Sequence, residues 1–260
     1  LIWFPGYLYL FFAVLATVLF CAFAWWRRLL TASASFAALI TGVIILLAGG
    51  WLLALPMILF FIAGSGLSKL PSKALTHDRK SKTPRDAVQV ICNGGIAAIC
   101  ALLFILFKCQ IFIICYFVSI AVSMSDTASS EAGNYFKGRV VDIVSWKPVQ
   151  KGLSGGVSVT GTAAGAAGAF VIAFLYFITY SYSYGEALVI FVAGFAGMLL
   201  DSVFGSLLQA KYMGEDKNIV DAPVAGAKLF KGIVWVTNDA VNFVSNLVAT
   251  VLVFAMLLLT

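Results

Sequence analysis

Residues 37–63 read AALITGVIILLAGGWLLALPMILFFIA, an uncharged run interrupted by Gly49-Gly50 near its centre. A hydrocarbon core about 30 Å thick takes roughly 20 apolar residues per helical crossing. Lipid offers no water to an open strand edge, so spanning segments are helices or closed barrels. The run is continuous rather than alternating, which selects helix over strand. Paired glycines punctuate helices, so a hairpin of two short helices is expected, 33–49 and 51–68. The same pattern predicts further helices at 7–26, 86–107, 110–125, 161–181, 185–209 and 233–259. The fold class read from this is all-α: one polytopic membrane domain of about eight transmembrane helices over residues 1–260. Composition agrees, because 62% of the 260 residues are hydrophobic and 11% charged, against roughly 25% charged in soluble domains.

The basic residues divide by loop. Arg27 and Arg28 follow the first helix, and Lys69, Lys73, Arg79, Lys80, Lys82 and Arg85 follow the third. Lys137, Arg139, Lys147 and Lys151 follow the fifth, and Lys211, Lys217, Lys228 and Lys231 the seventh. With eight spans all of these share one side, and Lys108 falls opposite. Basic loops favour the cytoplasm, so both termini are expected to be non-cytoplasmic. The charge excess needs no nucleic-acid partner, since basic loops also bind anionic headgroups. Leu1–Trp26 lacks a basic leader and a small-residue cleavage site, so a retained first helix is expected. The cysteines Cys21, Cys92, Cys100, Cys109 and Cys115 form no close pair, which suggests neither a disulfide framework nor a zinc site. His77 is the single histidine, so chemistry that needs a histidine pair is excluded.

Polar residues inside spanning helices are costly, about 2.5–3.5 kcal/mol for a central Asp on insertion scales, and mark function by default. Three such stretches converge on the basic side. They are Ser125-Asp126-Thr127-Ala128-Ser129-Ser130-Glu131, Asp201-Ser202 through Gln209, and Asn238-Asp239 through Asn246. Asn238, Asn242 and Asn246 recur every four residues and form one stripe. Three carboxylates gathered in low dielectric repel one another unless cations lie between them. Mg2+ supplies that by taking one or two carboxylates plus phosphate oxygens. The metal ligands expected are Asp126, Asp201 and Asp239, which are also the catalytic candidates. Structural readings stand beside these: Asp126 as a helix cap, the asparagines as interhelical hydrogen-bond partners, and Glu131 as a counter-charge.

The run Lys151-Gly152-Leu153-Ser154-Gly155-Gly156-Val157-Ser158 is rich in Gly and Ser and can cradle phosphate through backbone N–H groups. It is not a Walker motif. Gly161, Gly165 and Gly168 suit close helix packing. Arg85, Gln89 and Asn93 lie on one face at four-residue steps, a stripe that binds phosphate or links helices.

Taken in order, Arg85-Asp86-Ala87-Val88-Gln89-Val90 with Asn93-Gly94-Gly95, the 125–131 motif, Gly161-Thr162-x2-Gly165, Asp201-Ser202-x2-Gly205-x3-Gln209 and Trp235-x2-Asn238-Asp239-x2-Asn242-Phe243 resemble one membrane family. That family includes plant phytyl-phosphate kinase and transmembrane protein 19, and the likeness spans roughly residues 40–250. More distantly the motif order is similar to CDP-diacylglycerol synthases and to dolichol and phytol kinases. The resemblance implies a core like that of CDP-diacylglycerol synthase, with Mg2+, expected as two ions, and CTP as co-substrate. The core would cover about 85–259 and the peripheral helices about 1–68.

On this reading a lipid monophosphate such as phytyl phosphate receives the γ-phosphoryl of the nucleotide at the cytoplasmic or stromal face. Arg85, Gln89, Asn93, Ser130, Glu131, Lys147, Lys151, Ser154, Gly155, Ser202, Gln209, Asn238 and Asn242 are the candidates for substrate and nucleotide binding. The bilayer is the other expected partner, and a homodimer is open. Two alternatives stand: a lipid-phosphate cytidylyltransferase or prenyl-alcohol kinase, and a non-enzymatic ion or lipid transporter. A transporter predicts midplane carboxylates and inverted repeats, whereas these motifs sit near one side.

Overall fold

The computed structural model describes residues 6–69, 83–214, 218–223 and 226–259. His77, Lys73, Arg79, Lys80, Lys82 and Lys217 lie outside the described residues. Helices α1 (Gly6–Trp26), α2 (Ala32–Leu67), α3 (Ala87–Phe107), α4 (Gln110–Tyr135), α5 (Val159–Tyr176), α6 (Tyr184–Leu207) and α7 (Asn238–Leu258) form the bundle. All seven are long and apolar enough to cross a bilayer. Large apolar side chains such as Phe36, Leu106 and Leu252 point outward, as a lipid-facing surface requires.

The 36-residue α2 is folded back on itself. A straight helix of that length would run about 54 Å, yet both of its ends meet Arg85. Thr31 N, at its N-cap, donates to Arg85 O at 2.9 Å. Near the other end, a Cβ on Gly64 would sit 2.5 Å from Arg85 Nη2. The reversal is at Gly49-Gly50, where the backbone leaves helical geometry and Gly50 takes φ +61°. That conformation suits glycine, and a Cβ there would also lie 2.5 Å from the Tyr9 hydroxyl. The expected hairpin is therefore present as two arms of one helical element.

α4 is the central helix, with every residue from Ile113 to Ser125 buried. Small residues let its neighbours approach. A Cβ on Gly165 would be 3.1 Å from Ser125 O, one on Gly168 3.0 Å from Met124 O, and one on Gly197 2.5 Å from Val122 Cγ2. The glycine stripe of α5 is thus a packing surface, as its spacing predicts.

Two expectations are corrected. α4 runs on to Tyr135 rather than ending at 125, so the acidic motif lies on helix; Ala128, Glu131 and Ala132 favour helix and sustain it. α7 begins at Asn238, not 233, because the Thr237 hydroxyl accepts from Ala240 N and caps it. The chain is also not wholly helical. Strands β1 (Val141–Asp142) and β2 (Gly156–Val157) pair, and β3 (Lys211–Met213) lies between β4 (Ile219–Val220) and β5 (Lys228–Lys231). These segments connect helices, where the backbone must pair locally because no helix takes its N–H groups.

Candidate functional site

The C-terminal ends of α4 and α6 and the N-terminal ends of α3, α5 and α7 gather at one end of the bundle, together with both β elements. Antiparallel contacts fix this: Ser123 Oγ donates to Asn93 O at 2.8 Å, and Ser125 Oγ to Gly165 O at 2.8 Å. Among the described residues, the basic loops predicted to share one side do so, and Lys108 sits at the opposite end between α3 and α4.

Asp201, half-buried on α6, is held by α7. Its Oδ2 accepts from Ser245 Oγ at 2.9 Å. With the Asn242 amide turned so that its nitrogen faces these acceptors, Nδ2 donates to the same oxygen at 3.1 Å and to Asn238 O at 2.9 Å. The Asp126 carboxyl of α4 is close enough to interact electrostatically with Asp201, and Glu131 with Asp126. Glu131 also acts on Arg85. An electrostatic chain therefore runs Arg85, Glu131, Asp126, Asp201. Burial lowers the basicity of the Arg85 guanidinium, and Glu131 opposes that shift. Among the described residues no three acidic, His or Cys side chains assemble as one metal-ligand group. The structure sets Asp126 and Asp201 within electrostatic reach of each other, while Asp239 stands at the same end in the first turn of α7.

The remaining candidates divide. Gln89 closes a capping box with Asp86, each side chain taking the other's backbone N–H, and Asn93 Nδ2 donates to Gln89 O at 2.9 Å. Ser130 is exposed and Ser202 half-buried beside Asp201. Asn246 Nδ2 donates to Ser119 O and Ser123 Oγ, both at 3.0 Å, and so joins α7 to α4. Gln209 is 1% exposed, and neither amide atom of its side chain has a hydrogen-bond partner among the described residues.

The Gly/Ser loop differs from expectation. Ser154 N donates to Asp221 Oδ2 at 2.7 Å and Gly156 N to Leu153 O at 3.0 Å, so those donors already serve the fold rather than a phosphate. Gly155, at φ +83°, packs on α6, where a Cβ would lie 2.6 Å from Ser206 Cα. Lys151 Nζ donates to Phe136 O, and Lys147 is exposed on a turn. The 141–157 hairpin that carries both lysines is docked on the end of α6.

What docks it escaped the sequence. Asp142 Oδ2 accepts from Ser206 Oγ at 2.6 Å, and Oδ1 from Ser145 N at 2.8 Å. Burial pushes the Asp142 carboxyl up, but these bonds and the Lys211 ammonium outweigh it and hold it at about 2. Lys211, 4% exposed, donates from Nζ to Ser154 O at 2.8 Å. Burial lowers its basicity, against Asp221 and Asp142, which raise it. Asp142-x2-Ser145 carries a turn signal, but nothing local announces its partners 60 or more residues away. Ser245 falls within the 238–246 stretch, where no local pattern singles it out.

A cavity of about 330 Å3 lies between α1, the two arms of α2 and the start of α3. Phe20, Ile45, Met57, Ile58 and Phe61 are among its walls, and Arg85, Gln89 and Asn93 also line it. The Arg85 guanidinium sits 5.8 Å over the Phe60 ring.

A family model described as integral membrane protein DUF92 matches residues 15–250. Protein PGR of Arabidopsis thaliana is 32% identical over 272 aligned positions, 94% of each chain. An uncharacterized membrane protein of Synechocystis is 30% identical, covering 85% of this chain and 80% of its own. One from Methanocaldococcus jannaschii is 31% identical, covering 72% and 79%. No solved structure matches the chain.

Proposed function

The chain belongs to the DUF92 family of integral membrane proteins, and from that premise we propose that it is a lipid-phosphate kinase. It transfers the γ-phosphoryl group of a nucleoside triphosphate, CTP foremost, to an isoprenyl monophosphate such as phytyl phosphate, giving the diphosphate. What carries this reading is that Asp126 and Asp201, from two helices, lie within electrostatic reach of each other, with Glu131 and Arg85 continuing the chain.

The lipid phosphate oxygen is already an anion and needs no general base. It attacks the γ-phosphorus, a new P–O bond forms, and the bond to the β-bridging oxygen breaks. The electron pair of that bond leaves with the nucleoside diphosphate. What the protein supplies is position and charge. Arg85 holds the lipid phosphate through its planar donor fork. Ser245 and Asn242 orient the Asp201 carboxylate from Oδ2, and Asn238 and Asp239 open the same helix.

The donor set fits Mg2+, because that ion takes one or two carboxylates and completes its shell with phosphate oxygens and water. Asp126 and Asp201 would hold it, with Asp239 as a further ligand candidate. When bound, it neutralises phosphate charge and orients the transferring group.

The test supplies purified protein with Mg2+, phytyl phosphate and CTP labelled at the α or the γ phosphorus. Label reaching the lipid from the γ position alone sustains the kinase. Label from the α position makes the protein a cytidylyltransferase. No transfer across several nucleotides and prenyl phosphates overturns an enzymatic role.

A further inference from the structure

We propose that the cavity between α1 and α2 holds the hydrocarbon tail of a single-chain lipid phosphate, so that chain selection resides in the N-terminal helices rather than beside the carboxylates. This assignment rests on the lipid-phosphate reading above. Its first support is charge placement. Among the described residues lining the cavity, Arg85 is the only charged one, and it is fixed at that level by its seat against Gly64 and Phe60. The electrostatic chain from Arg85 through Glu131 to Asp126 then links the anionic head to the carboxyl pair.

The second support is size. The wall residues Trp51 to Phe61 rise about 15 Å along one arm. Spread over that length, about 330 Å3 makes a narrow channel that suits one hydrocarbon chain. At about 30 Å3 per water-sized group, the cavity takes on the order of ten chain carbons. The third support is the far end. Trp51 lines the cavity and is 51% exposed, so a longer chain passes out beside it into the bilayer. Lipid tails are as apolar as the cavity walls, so the head supplies the attraction and the walls discriminate by shape.

The experiment photo-crosslinks the full chain in lipid nanodiscs with a prenyl monophosphate bearing a diazirine on its tail. Competitors are a five-carbon prenyl monophosphate, a twenty-carbon one, and phosphatidate. Label is expected on α1 and α2 residues such as Phe20, Ile45 and Ile58, displaced by both prenyl phosphates and at least tenfold less by phosphatidate. Filling the far end with Ala54→Phe is expected to weaken displacement by the twenty-carbon lipid about tenfold and to leave the five-carbon one unchanged. Label confined to α5, α6 and α7, or displacement by phosphatidate as strong as by the prenyl lipids, overturns the proposal whatever Ala54→Phe does. Phosphoryl transfer with label elsewhere removes the cavity assignment alone. Label on α1 and α2 without any transfer removes the kinase reading and keeps the cavity.

Discussion

Asp201 and Ser245, 44 residues apart in sequence, are joined by a 2.9 Å hydrogen bond between the end of α6 and the second turn of α7. A hydrogen bond to a charged group contributes about 1.5–3 kcal/mol, and here it orients a proposed metal ligand. Ser245→Ala is expected to lower γ-phosphoryl transfer about tenfold and to raise the Mg2+ concentration for half-maximal rate. Asp201→Asn is expected to abolish transfer with helical content unchanged by circular dichroism. Full activity in Asp201→Asn would remove the metal-ligand assignment.

Arg85 is a planar fork, which Lys cannot reproduce. Arg85→Lys is expected to raise KM for the lipid phosphate about tenfold while kcat moves little. A change confined to kcat would instead place Arg85 at the transferring phosphoryl.

Gly197 has no room for a side chain, since a Cβ would lie 2.5 Å from Val122 Cγ2. Overpacking of this kind costs about 1–3 kcal/mol. Gly197→Val is expected to lower the thermal unfolding midpoint and to reduce activity by parting α6 from α4. An unchanged midpoint would mean the helices are not held at that contact.

The Asp142 carboxyl is held at about 2 in the folded protein, below the free value of about 3.9. A depressed carboxyl stabilises the fold above its unfolded pKa, and that stabilisation is lost as pH falls through the folded value. The difference in unfolding midpoint between the natural protein and Asp142→Asn is therefore expected to shrink between about pH 4 and about pH 2. A difference constant across that window would show that charge does not dock the hairpin.

Lys211→Met removes a buried ammonium that bridges to Ser154 O and acts on Asp142 and Asp221. Leaving those carboxylates without it is expected to destabilise the docked loops, by about 1–3 kcal/mol for broken buried polar partners. Faster hydrogen exchange confined to 141–157 and 211–221 would report this, and unaltered exchange there would exclude it.

Much of this molecule was legible before any fold was seen, since bilayer thickness and backbone satisfaction constrain each segment by itself. Apolar run length located every helix, and Gly49-Gly50 marked the reversal. Motif order identified the family that the comparisons bear out. The polar stretches at 125–131, 201–209 and 238–246 do reach one end of the bundle, because helix count alone decides which end a residue reaches. The parting of the roles within them was not legible. That Asp126 lies near Asp201, that Ser245 rather than Asn246 holds Asp201, and that Asp142 and Lys211 dock the connecting loops all depend on helix rotation and close approach. Those are set by small residues such as Gly165 and Gly197 meeting α4 across the bundle, a relation between distant segments that no local pattern contains. The sequence by itself determined the membrane class, the helices and the shared end; only tertiary packing decided which carboxylates come within electrostatic reach and which loop donors the fold keeps for itself.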